Sequence, residues 1–312
     1  MVRSLNNTTG ASPRFIYHDS IAVMAIILDG RAIAARIRDK VKTRVEAMTV
    51  KPGLAVILVG DDPASHLYVS LKRKACEEAG IRFELFLYPS TEATESIMTQ
   101  IELLNQREDV TGILVQLPLP NQNTDQVIAA IHPNKDVDGF HRENMRALSE
   151  GRQSIVPALA LGIMKLVDEA THQISPPAKG ELGGGRTAIV VGSAIFAEPL
   201  RYLFVEHKIT TERVDSDDLE LKSKTKTADV LIVAVGQPGL ITGEMIKSGA
   251  IVIDVGTTRI GDKTVGDVDR ISVLPIASAL SPVPGGVGPM TVAMLMLNIL
   301  KATGIQNVKG KM

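Results

Sequence analysis

The chain predicts an α/β protein of two α/β domains with a cleft between them, the second domain a Rossmann-like, doubly wound parallel sheet. Three observations carry this reading. Short apolar runs alternate along the chain with stretches whose apolar positions repeat every three or four residues, the patterns of strand and helix in turn. Some of the runs, Leu54 to Val59 first among them, are continuously apolar, as strands of a parallel sheet covered on both faces are. The 312 residues also exceed the size that one core usually serves, so two domains are expected.

Ile33, Ile37, Val41 and Val45 recur every four residues and mark the buried stripe of a first helix. Leu54 to Val59 is an apolar run that reads as a buried strand. Helix, strand, helix, strand and short helix then follow over Pro63–Ala79, Arg82–Tyr88, Glu92–Asn105, Gly112–Gln116 and Asp125–Ile131, with Pro118 and Pro120 terminating the second of these strands. The pattern changes after Gly151. A helix from Leu159 to Ala170 leads into a loop marked by Pro176, Pro177, Gly180 and Gly183 to Gly185. Thr187–Val191, Thr210–Val214, Val230–Val235 and Ile251–Val255 read as parallel strands with helical crossovers, and a last helix runs from Met290 to Ala302. The pattern accordingly places one domain at 24–150 and a second from 151 onward. Residues 1–23 are assigned to a disordered extension.

Composition narrows the function class. A net charge of -1 gives no electrostatic argument for nucleic acid or an anionic membrane. No stretch approaches the ~20 apolar residues of a membrane span. Ile21 to Leu28, between Asp19 and Asp29, is too short and wrongly flanked for a signal peptide. Arg3, Arg14 and several Ser/Thr with one acid leave an organellar transit peptide open for residues 1–23. The single cysteine, Cys76, excludes an intrachain disulfide and suits a reducing compartment such as the cytoplasm; it reads as a small buried filler. Six scattered histidines without ligand spacing lead to the expectation of no metal.

Four pieces carry chemistry. Tyr68 and Lys72 leave one face of a helix one turn apart. Gln116 stands at the carboxyl edge of a strand. Asp136, Val137, Asp138, Gly139 and Phe140 form a short acidic turn. Pro284, Gly285, Gly286, Val287, Gly288, Pro289, Met290 and Thr291 form a Gly/Pro-dense turn running into an apolar helix, a backbone that can approach a ligand closely and whose shape is fixed beforehand. Together and in this order they resemble the bifunctional methylenetetrahydrofolate dehydrogenase/methenyltetrahydrofolate cyclohydrolase family of one-carbon metabolism, over nearly the whole chain from Met24.

The resemblance implies oxidation of 5,10-methylenetetrahydrofolate by a nicotinamide cofactor and hydrolysis of the resulting methenyl cation to 10-formyltetrahydrofolate. It implies Lys72, Gln116 and Tyr68 as catalytic residues. Tyr68, Asp138, Pro284, Gly285 and Gly286 would be substrate-binding, with Asp138 accepting the pterin's N–H groups and Tyr68 stacking on the aminobenzoyl ring. It further implies a last helix that returns to the first domain, so that the domains are 24–150 with 290–312 and 151–289, a homodimer through the nucleotide domain, and tetrahydrofolate substrates as partners. The family's usual start, Met-Ala-x-Ile-Leu-Asp-Gly, matches Met24 to Gly30.

The cofactor is NADP or NAD, and here the chain departs from the family pattern Gly-Arg-Ser-x-x-x-Gly-x-Pro. It reads Gly192, Ser193, Ala194, Ile195, Phe196, Ala197, Glu198, Pro199, one residue short and without the Arg and the second Gly. The cofactor set is Gly192, Ser193, Ala194, Asp215, Ser216 and Thr257. Asp215 stands where the family has a histidine, about 20 positions beyond the glycine turn, the usual place of a ribose-binding acid in NAD sites. Glu198 could face the pyrophosphate. Leu159 replaces the threonine near the nicotinamide. These departures lean towards NAD or weak binding. They leave two alternatives open: a cyclohydrolase with little or no dehydrogenase activity, and a non-catalytic folate-binding scaffold.

Overall fold

Caps and turn residues set where the elements begin. In a computed structural model describing residues 24–174 and 185–309, β1 (Ile26–Ile27) is followed by α1 (Gly30–Glu46), which starts where the Asp29 carboxylate accepts from the Arg31 and Ala32 N–H groups. β2 (Gly53–Val59) leads to α2 (Pro63–Ala79), capped by Asp62, opened by a proline and closed by Gly80 at φ 73°. β3 (Arg82–Tyr88), α3 (Thr94–Gln106), β4 (Gly112–Val115), α4 (Thr124–Ala130), α5 (Arg142–Ser149) and α6 (Ala158–Ile174) follow.

The second half comprises β5 (Thr187–Gly192), α7 (Ala194–Glu206), β6 (Thr210–Val214), α8 (Leu221–Thr225), β7 (Val230–Ala234), β8 (Ile251–Asp254), the β9 (Thr258–Ile260) and β10 (Lys263–Val265) hairpin, α9 (Arg270–Val273), β11 (Ala279–Leu280) and α10 (Val287–Lys309). The extension assigned to 1–23 and the loop prolines and glycines at 176, 177, 180, 183 and 184 lie outside the described residues.

Among the described residues these strands form two parallel sheets. One has the order β3-β2-β4, the other β1-β11-β8-β7-β5-β6. The first strand does not join the sheet nearest to it in sequence: Ile26 and Ile27 pair with Ala279 and Leu280 at the edge of the second-half sheet. Chain order reverses direction at β5, with β6 on one side and β7 on the other, the switch point of a Rossmann-like winding.

Period-two burial shows why these runs are strands. Leu54, Val56 and Leu58 of β2 face a core shared with α1, α2 and α10, while Ala55, Ile57 and Val59 face α3 and α4. β5 and β7 divide the same way, Val190 and Ile232 joining the first of these cores and Val191 and Val233 a separate one.

The last helix is longer than the reading from Met290 to Ala302. It begins at Val287, inside the Gly/Pro turn, and takes Pro289 into its first turn, where a missing N–H has no intrahelical acceptor to lose. Its window Val287–Gly304 is long and apolar enough by length and composition to cross a membrane, which the reading along the sequence did not recognise. In the fold its buried face, Met290, Ala293, Met296, Ile299 and Ala302, packs against α1 and α6. Gly162 of α6 permits that approach, since a Cβ there would stand 3.1 Å from Met290 Cβ.

Candidate active site

Distant parts of the chain converge on a cleft of about 740 Å³ whose lining includes Tyr68, Lys72, Gln116, Asp138, Thr257 and the Pro284–Gly286 turn. With the phase of α2 set by its cap, Val69, Ala75, Cys76 and Ala79 turn inward to the core. Tyr68 and Lys72 line the cleft one turn apart. Cys76 is buried there as a filler, and burial pushes its thiol up to about 12.

Lys72 is buried, and its Nζ donates to Gln116 Oε1 at 2.8 Å. The Gln116 amide in turn donates to the Leu117 carbonyl at 2.7 Å, so the carboxamide oxygen is the end presented to the amine. Burial draws the Lys72 ammonium below its ordinary pKa, against the opposing pull of the Asp138 carboxylate. Burial likewise pushes Asp138 up to about 6, with Lys72 opposing and Asp136 adding to the rise. Burial thus disfavours the charged form of both groups, each of which lines the cleft.

The turn carrying Asp138 is held from both sides. Asp136, fully buried, accepts from the Gly139 N–H (3.0 Å), the His141 N–H (2.7 Å) and Asn144 Nδ2 (3.0 Å). Asn298 of α10 donates to the Val137 carbonyl at 3.0 Å and to the Val156 carbonyl at 2.8 Å. Gly139 adopts φ 87°, and a Cβ there would lie 2.5 Å from Pro157 N, so the chain passes only because no side chain is present.

The opposite wall is the Pro284–Gly286 turn. Gly285, at φ 110°, accepts from the Arg31 N–H at 3.1 Å, and a Cβ on Gly30 would collide with the Gly286 carbonyl. Backbone thus lies directly on backbone at the start of α1. Across the cleft, the Tyr68 hydroxyl donates to Thr257 Oγ1 at 3.3 Å. Thr257 follows β8, whose last residue, Asp254, accepts from the N–H groups of Gly256 (3.0 Å), Asp267 (3.0 Å) and Val268 (3.1 Å).

The other residues assigned to the cofactor lie elsewhere. Gly192, Ser193 and Ala194 join β5 to α7, while Asp215 and Ser216 follow β6, together at the switch point and outside the cleft lining. Thr257, placed in the same set, sits against Tyr68. Ser216 accepts from Gln237 Nε2 at 3.1 Å. The Ser193 side chain makes no capping bond, so the first-turn N–H groups of α7 remain open. A Cβ on Gly192 would stand 3.0 Å from the Phe196 ring and 3.1 Å from the Ala234 carbonyl. An open helix amino terminus at a switch point, reached over bare backbone, fits a dinucleotide's pyrophosphate. Glu198 is drawn along the helix instead: the Tyr202 hydroxyl on the next turn donates to it at 2.9 Å. Leu159 lines the cleft.

Sequence reasoning missed Asn298 and Asp254. Each had a signal, the first as an isolated polar residue in the apolar stripe of α10 and the second as a carboxylate ending the run Ile251–Ile253.

Residues 28–138 match the catalytic domain of tetrahydrofolate dehydrogenase/cyclohydrolase, and residues 157–307 match its NAD(P)-binding domain. The bifunctional protein FolD of Bordetella bronchiseptica is 44% identical over 284 residues, spanning 89% of this chain and 97% of that protein. Its namesake in Nautilia profundicola is 42% identical over 281 residues, spanning 88% and 96%. Among solved structures, the bifunctional FolD methylenetetrahydrofolate dehydrogenase/cyclohydrolase from Campylobacter jejuni has a TM-score of 0.83 at 37% identity, covering 90% of this chain and 99% of that one. The methylenetetrahydrofolate dehydrogenase-cyclohydrolase of Trypanosoma brucei, solved with NADP and an inhibitor, has a TM-score of 0.83 at 33% identity, covering 91% and 98%. With both halves matched and the two sheets meeting at one cleft, the chain belongs to the tetrahydrofolate dehydrogenase/cyclohydrolase family.

Proposed function

We propose that the chain oxidises 5,10-methylenetetrahydrofolate to 5,10-methenyltetrahydrofolate with a nicotinamide cofactor, and hydrolyses that product to 10-formyltetrahydrofolate, with Lys72 as the group that manages the proton. The observation that carries this is the buried 2.8 Å contact between Lys72 and Gln116 in the cleft that also holds the Asp138 carboxylate. Asp138 receives the pterin's amino and ring N–H groups, charge-assisted bonds worth about 1.5 to 3 kcal/mol each. Tyr68 offers its ring to the aminobenzoyl group, and the Pro284–Gly286 backbone closes the opposite side.

The nicotinamide cofactor, when bound, supplies the ring that accepts electrons. Gly192, Ser193 and Ala194 would hold its pyrophosphate on the amino terminus of α7. Asp215 would accept from a ribose 2'-hydroxyl and repel a 2'-phosphate, so NAD is the cofactor this reading favours.

In the hydrolysis, a water oriented by Gln116 adds through oxygen to the bridging carbon of the methenyl cation, and Lys72 as neutral amine accepts the proton released. The bond from that carbon to N5 then breaks. Lys72 returns its proton to N5, and the water's second proton leaves to solvent, giving the neutral formyl product. Burial, which lowers the pKa of the ammonium, favours the neutral amine that this step needs. A carboxylate in its place would pair with the cation and hold it.

Separate titrations of NAD and NADP in a methylenetetrahydrofolate oxidation assay, run beside methenyltetrahydrofolate hydrolysis, test the whole reading. Both activities with NAD preferred are expected. A preference for NADP would remove Asp215 from its role, hydrolysis alone would leave a cyclohydrolase, and neither activity would leave a folate-binding scaffold.

A further inference from the structure

We infer that Arg213 forms a latent 2'-phosphate site which Asp215 masks, so that this pair, rather than the shortened turn at Gly192, decides which dinucleotide the chain accepts. The inference rests on reading residues 192–216 as the dinucleotide site. Arg213 lies on β6 in register with Val190 of β5. Its Nε donates to the Gly192 carbonyl at 3.0 Å, anchoring the guanidinium beside the turn whose own side chains carry no cation. A second guanidinium nitrogen, Nη2, pairs with Asp215 Oδ1. Both side chains remain partly open to solvent, at 38% and 56% exposure, so a ligand can reach the pair. Lys224, packed near the same strand, is already surrounded by Glu212, Asp218 and Glu220.

A guanidinium has five N–H donors in a planar fork suited to phosphate, and the contacts to Gly192 and Asp215 occupy two of its nitrogens. With Asp215 in place the pair is neutral and its exposed carboxylate repels a dianionic phosphate while accepting from hydroxyls. Without Asp215, the Gly192 carbonyl still holds the guanidinium in position, now with its charge uncompensated.

Calorimetric titration of the full chain with NAD and NADP, without folate, tests this. The unsubstituted chain is expected to bind NAD more tightly. In Asp215→Ser the NADP to NAD affinity ratio should rise at least tenfold, and adding Arg213→Gln should abolish that rise. Asp215→Asn, which keeps the side chain's shape, carries the same expectation if the serine variant does not fold. An unmoved ratio in both Asp215 variants, a rise that survives loss of Arg213, or no nucleotide binding at all would overturn the inference. Because no turnover enters, the ratio can switch in a chain whose folate chemistry fails, which would remove the reading of the cleft and sustain this one. A chain that turns over folate but keeps its ratio would do the reverse.

Discussion

Asp138 is held by its fold in a state that costs stability and that, on the proposed function, serves binding. Its pKa of about 6 lies above the 3.8 of an unperturbed aspartate, so the folded chain disfavours the ionised form. The penalty is full above about pH 6, fades as pH falls through that value, and is gone below about pH 4. Asp138→Asn should therefore stabilise the ligand-free protein by about 1 to 3 kcal/mol at pH 7, with the gain shrinking on acidification; a melting series from pH 7.5 to 4.5 reads it. The same variant should lose most folate affinity, and in the unsubstituted protein the apparent KM for folate should climb as pH drops through about 6. A flat KM profile would detach Asp138 from the pterin. For Lys72→Met, hydrolysis should fall roughly 10²- to 10⁴-fold while folate binding, followed by calorimetry, changes far less. Unchanged hydrolysis would remove the amine from its role.

The turn at residues 136–141 works because other elements hold it. Replacing Asn298 by Leu would strip donors from the buried carbonyl of Val137 and the half-buried one of Val156, at about 1 to 3 kcal/mol for the buried group left unsatisfied. It should raise the folate KM without touching the ligand, and a denaturation midpoint with the KM shows both effects; a stability loss with unchanged KM would make Asn298 structural only. The helices and strands were legible because apolar runs and periodic stripes, and breakers such as Pro118 and Pro120, act locally. Tyr68, Lys72, Gln116 and Asp138, named from the sequence as an ordered pattern of residue types, do line one cleft. What sequence did not disclose was long-range. Nothing near Ile26 says that it pairs with Ala279, nothing near Asn298 names Val137 as its acceptor, and the pairing of Arg213 with the Gly192 carbonyl depends on the register of β6 against β5. The start of α10 was missed because Gly286, Gly288 and Pro289 signal a turn, while proline is tolerated in a helix's first turn.

Each half keeps an outer core of its own and the two share a third between them, which governs how the protein unfolds. A continuous apolar cluster runs from Leu54, Val56 and Leu58 of β2 through α1, α6 and α10 to Val190 of β5 and Ile232 of β7. β1 adds a backbone connection by entering the second-half sheet before the chain builds the first. Two independently stable domains with a mobile hinge would instead lack such a shared layer and be joined by exposed linkers alone. The halves should therefore open together, keeping Tyr68 opposite Thr257 and the cleft in shape between turnovers. Ile299 of α10, fully buried in this cluster, provides the test. Ile299→Ala should cost about 2 to 5 kcal/mol and, measured by native-state hydrogen exchange, should lower the opening free energies of β2 and β7 amides by equal amounts. A loss confined to one sheet, or two separate thermal transitions in the unsubstituted chain, would show that the shared apolar layer does not couple the halves, and the geometry of the cleft would then have to be set by its ligands.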